Sequence, residues 1–104
     1  MQLTITARHG EVPDALRERA AEVVEHLGRV AHRPTSAHVE FGAEGPKALV
    51  SIVINAARGA THVARATAVD HRTALDRVAA KLRKQFDKAV ERPARRAARK
   101  AASR

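Results

Sequence analysis

The sequence predicts an α+β domain with the order β-α-β-β-β-α, a four-stranded mixed sheet with two helices packed on one face. Three observations carry that expectation. Four stretches alternate apolar and polar residues with the period of two that gives a strand one buried face. Two others repeat their apolar residues at helical spacing. One helix follows the first strand and the other closes the series, the pattern of strands and helices that builds α+β domains. A crossover from strand through helix to strand is right-handed, so strands one and two should be parallel with both helices on one side.

Gln2–Arg8 places Leu3, Ile5 and Ala7 opposite Thr4, Thr6 and Arg8, which reads as the first strand. His9-Gly10-Glu11 turns the chain, and Pro13 suits the first position of a helix. Leu16, Ala20, Val23, Val24 and Leu27 then give a helix over about Pro13–Leu27, with Gly28 as its cap and Asp14 and Glu18 in the opening turns, where the helix dipole favours anions. Ser36–Phe41 alternates again, and Gly42–Pro46 reads as a turn. Lys47–Asn55 carries apolar residues on both faces and so reads as a central strand. Arg58-Gly59 marks the next reversal. In His62–Val69, Ala64, Ala66 and Ala68 share one face, which lets a helix settle close to the sheet. Asp70–Arg92 holds no Gly or Pro and reads as a long helix, its apolar side formed by Leu75, Val78, Leu82 and Phe86. Asp70 and Asp76 suit an N-cap and a dipole partner better than a pair of catalytic carboxylates. Residues 1–92 thus form one domain, and 93–104 a flexible basic tail without apolar period.

The 104-residue chain has room for one core, and that core must be closely packed, because 23 of its apolar residues are Ala. There is no Cys, which fits a cytoplasmic location, and no apolar run of membrane-spanning length. The net charge of +9 is uneven. Residues 1–69 are nearly balanced, with 8 Lys/Arg against 7 Asp/Glu, whereas 70–92 carry 7 against 4 and 93–104 carry 5 against none. Such a distribution points to a polyanionic partner.

Arg77, Lys81, Lys84, Lys88 and Arg92 fall within about 80° of one another around the last helix and form a cationic ridge distinct from its apolar side. Arg17 and Arg19 of the first helix are candidate companions, and Arg95, Arg96, Arg99 and Lys100 of the tail add charge. The six His residues are scattered, with no pair at i,i+4, so neither a metal site nor a cofactor is expected. No phosphate loop or nucleophile motif is present, and no enzymatic activity or small-molecule substrate is expected. Phe41 and Phe86, the only aromatics, occupy core positions. The sheet therefore cannot stack bases as single-strand RNA readers do, and the polyanion that fits is folded RNA, gripped through its phosphates.

Two stretches carry a resemblance: the opening LTITARHGEVPDALRERA and the pattern D-x-x-x-A-L-D-x-x-x-x-K-L-x-K-Q over Asp70–Gln85. The chain resembles the ribosome hibernation promoting factor family, also described as ribosome-associated translation inhibitors, over roughly residues 2–92. The resemblance implies a short-form factor that binds the small ribosomal subunit and its rRNA in the channel of mRNA and the A- and P-site tRNAs. It would silence idle ribosomes there, as a stress or stationary-phase response, alone or with a separate ribosome-dimerising factor. Lys81, Lys84, Lys88 and Arg92 match the family's basic positions on the second helix, and Arg17 that of the first. Arg72, Val90 and Arg65 stand where many relatives carry Tyr, a further cation and an acidic residue, and Pro93 cuts the helix early. Two other readings follow from the same features: a regulator that binds a protein partner, of the sigma-factor modulator type, and a general double-stranded RNA-binding module.

Overall fold

In this computed structural model the described residues are 1–8, 11–31 and 33–102, with the backbone alone for 88–102. The turn expected at His9-Gly10 and the side chains of Lys88, Arg92 and the tail cations lie outside the described residues. The elements are β1 (Gln2–Ala7), α1 (Asp14–Val30), β2 (Pro34–Glu44), β3 (Lys47–Ala56), β4 (Thr61–Ala68) and α2 (His71–Ala102), with a short 3₁₀ turn over Ala57–Gly59. The sheet runs β1-β2-β3-β4. β1 lies parallel to β2 and the other pairs are antiparallel, so the sheet is mixed and the predicted order holds.

The alternating residues meet in rows across the sheet. Ile5, Val39, Ile52 and Ala64 form one row, and Ala7, Phe41, Val50 and Ala66 the next. The helices cover this side with Ala20, Val23, Val24 and Leu27 from α1 and Ala74, Leu75, Val78, Leu82 and Phe86 from α2. Bulk is graded along the rows. The two central strands supply Val, Ile and Phe, whereas the core face of β4 is Ala64, Ala66 and Ala68. With only methyl groups beneath it, α2 can lie against β4, and that places the ridge beside the sheet edge.

Strand ends shift by one or two residues from expectation, and four boundaries differ for a local reason. α1 continues past Gly28 to Val30, because Ala31, and not the glycine, leaves the helix, with φ −70° and ψ 143°. Pro13 stands just before the first turn at ψ 146°, and its carbonyl accepts from Leu16 and Arg17, each at 3.0 Å. β2 is longer than Ser36–Phe41, since the register holds to Glu44↔Lys47 and leaves a two-residue loop of Gly45-Pro46. Gly45, at φ 60°, supplies the positive φ that such a hairpin needs at its first loop position. α2 runs past Pro93, where the sequence pattern ends it; the residues beyond are rich in Ala, Arg and Lys, which are strong helix formers.

Asp70 caps α2 as expected. The Thr73 amide donates to its Oδ1 at 2.7 Å, and the Ala74 amide donates to its backbone carbonyl at 3.1 Å. The first of these bonds, helped by the Thr73 side chain, holds the Asp70 carboxyl below its ordinary value of 3.8 against a small opposing effect of desolvation.

Candidate nucleic-acid interface

A helix advances about 6.0 Å over four residues and a strand about 6.6 Å over two, so side chains at every fourth position of a helix can meet every second residue of a strand beside it. α2 and β4 realise that match in antiparallel sense. Arg77 Nη1 donates to the Thr67 carbonyl at 2.9 Å, Lys81 Nζ to the Arg65 carbonyl at 2.8 Å and Gln85 Nε2 to the Val63 carbonyl at 2.9 Å. β4 is a sheet edge, and these three side chains clamp its outward carbonyls. The clamp fixes how far α2 slides and rotates over the sheet, and with it the direction of the ridge.

Arg77, Lys81 and Lys84 are thereby brought together. With Ala66, Thr67 and Ala80 they line a depression of about 480 Å³ between α2 and the edge of β4. Among the described residues no carboxylate is ion-paired with any of the three. Lys84 also makes no hydrogen bond there, so its ammonium is wholly available to a ligand. A cation already bound to one neutral carbonyl keeps its charge and other N–H groups, so Arg77 and Lys81 are held in place without being neutralised. A phosphate chain passing along α2 would meet a line of charge whose position is set before binding.

The α1 candidates sit elsewhere. Arg19 is 3.4 Å from Asp76 and 3.7 Å from Glu22, in the groove between α1 and α2. Arg83 crosses the same groove to meet His26. Arg17 Nε donates to the Val12 carbonyl at 3.4 Å, near the start of α1. The structure therefore groups Arg77, Lys81 and Lys84 and does not bring Arg17 or Arg19 to them. Gln85, the third member of the clamp, carries no role in the sequence reading, although its i+4 and i+8 spacing from Lys81 and Arg77 is visible there.

Both aromatic rings are buried, and each is met edge-on by a histidine: Phe41 by His71 with centroids 5.6 Å apart, Phe86 by His62 at 4.7 Å. His71 Nε2 also bonds the Gly42 carbonyl at 2.7 Å, tying the start of α2 to β2. Among the described residues no group of three His, Cys, Asp or Glu could hold a metal ion, and no helix is long and apolar enough to cross a membrane.

Comparison with known proteins follows the same outline. A ribosomal subunit interface protein from Coxiella burnetii superposes with a TM-score of 0.74 at 24% identity, covering 86% of this chain and 97% of that one. The N-terminal domain of Protein Y from Thermus thermophilus superposes with a TM-score of 0.72 at 23% identity, covering 85% and 98%. At that identity the likeness establishes the fold. No curated protein matches the chain. A family model, in contrast, matches residues 3–93, from β1 through the ridge on α2, and by that match the chain belongs to the Sigma 54 modulation protein / S30EA ribosomal protein family.

Proposed function

We propose that the protein is a non-enzymatic factor that binds the small ribosomal subunit through its rRNA, occupies the channel used by mRNA and tRNA, and so inhibits translation by idle ribosomes. Cytoplasmic location follows from that partner. The observation that carries the reading is the ridge itself. Arg77 and Lys81 are locked to the edge of β4 with Lys84 exposed beside them, on a chain without a free aromatic ring. Such a surface recognises the shape and phosphates of folded RNA, not its bases. Lys88, Arg92 and the tail residues Arg95, Arg96, Arg99 and Lys100 would lengthen the same contact, whereas Arg17 and Arg19, which lie apart from the ridge, would meet the RNA separately from α1.

The test is co-sedimentation of the purified protein with small subunits. Changing Lys81, Lys84 and Lys88 together to Glu abolishes binding if the ridge is the contact; undiminished binding by that variant refutes the reading.

The family description also carries modulation of sigma 54, which favours a second reading in which the partner is a protein. A pull-down after nuclease treatment separates the two. Capture of ribosomal material that disappears with nuclease supports the first, and a protein partner retained without RNA supports the second.

A further inference from the structure

The two edges of the sheet are finished differently. At β4 the outward carbonyls of Val63, Arg65 and Thr67 are taken by Gln85, Lys81 and Arg77. At β1 the register Ala7↔Phe41 and the bond from the Arg8 amide to the Phe41 carbonyl, 2.9 Å, show which residues face β2. Alternation along a parallel ladder assigns Arg8, Thr6, Thr4 and Gln2 to that side, so the N–H and C=O groups of Leu3, Ile5 and Ala7 point away from the sheet. Among the described residues nothing pairs with them. The strand that bears them, Gln2–Ala7, contains no charge, no Pro and no Gly. These are the devices that ordinarily protect an edge, and β1 has none of them. The apolar layer is open at the same place: Leu3 is 37% exposed, whereas its β2 neighbour Ala37 is 3% exposed.

We propose that β1 is a pairing edge for a second copy of this chain, joined antiparallel about a two-fold axis near Thr4. That register sets Leu3 opposite Ile5 of the partner copy and Thr4 opposite Thr4. The outward N–H and C=O groups of Leu3 and Ile5 are then satisfied, and apolar residues meet on the core side with hydroxyl-bearing residues on the other. The axis is perpendicular to the sheet, so the result is one eight-stranded sheet with all four helices on the same face. A second copy suits this edge better than a charged peptide, because the strand offers no charge to attract one. The +9 charge of each copy does not forbid the pairing. The two ridges lie at opposite outer edges, seven strand spacings or about 33 Å apart, which is about four screening lengths at physiological salt.

Sedimentation velocity of the purified chain over a concentration series tests the proposal. A reversible dimer should appear by about 50 µM, within the range of a modest interface. Thr4→Lys sets two ammonium groups against each other across the axis while its side chain remains on the open sheet face, so the dimer should weaken by about tenfold or more with an unchanged thermal melt. Leu3→Pro is the second variant; it deletes an outward N–H that β2 does not use and should also give monomer. A wild-type chain that stays monomeric up to about 200 µM overturns the proposal. A dimer indifferent to both substitutions overturns it equally, by placing the contact elsewhere.

Discussion

Lys84 offers the cleanest separation of binding from folding. Its side chain is exposed and touches no donor or acceptor among the described residues, whereas its neighbours Arg77 and Lys81 also hold the edge of β4. Lys84→Ala should therefore leave stability unchanged within about 0.5 kcal/mol, since Ala is the better helix former and nothing else is lost. Binding should respond differently. Each phosphate contact contributes about 0.7–0.9 to the slope of log affinity against log salt, so five ridge cations give a slope of about −4. A fourfold rise in salt would then weaken wild type about 250-fold, and Lys84→Ala, with a slope near −3.2, about 80-fold. Co-sedimentation with small subunits between about 50 and 200 mM salt, paired with a thermal melt, reads both quantities. An unchanged slope would show that Lys84 faces no phosphate, and a large fall in Tm would show that it is part of the scaffold. Lys81→Ala is the internal contrast. It should lower the slope by a similar amount and also cost about 0.5–1 kcal/mol of stability, through loss of its bond to the Arg65 carbonyl.

Two other outcomes follow from the fold. Leu82 is fully buried between α2 and the sheet, so Leu82→Ala should cost about 2–5 kcal/mol and lower the thermal midpoint by about 10 °C or more. A calorimetric scan checks this, and a loss under 1 kcal/mol would mean that α2 is not packed as described. Asp70 titrates below its ordinary value in the folded chain, so its cap contributes stability above the ordinary carboxylate range and loses it as pH falls through the lowered value. Asp70→Ala should lower Tm at neutral pH and flatten the acid limb of the Tm–pH curve; an acid limb identical to that of wild type would remove Asp70 from the account.

The fold was legible wherever one local pattern decided it. The alanines at 64, 66 and 68 showed both a strand and the close approach of a helix, and Asp70 marked the start of α2. Boundaries were less legible because partners set them. β2 extends to Glu44 through its pairing with Lys47, and α1 passes Gly28 because the chain leaves the helix only at Ala31. The candidate site shows the same division. The ridge could be read from spacing within one helix. That Arg19 is matched with Asp76 could not, because the pair is 57 residues apart in sequence. Nor could the clamp, which requires knowing that α2 lies antiparallel along β4; Gln85 shows its role only once Val63 is beside it.

If the ridge grips small-subunit RNA inside the channel that tRNA and mRNA also use, the protein and those ligands must exclude one another. The most direct test is that exclusion, measured by titrating the protein against small subunits preloaded with mRNA and a P-site tRNA. Each should displace the other, with retention of the protein falling in proportion to tRNA occupancy. Simultaneous, undiminished binding of both would contradict it and place the ridge on some other surface of the ribosome.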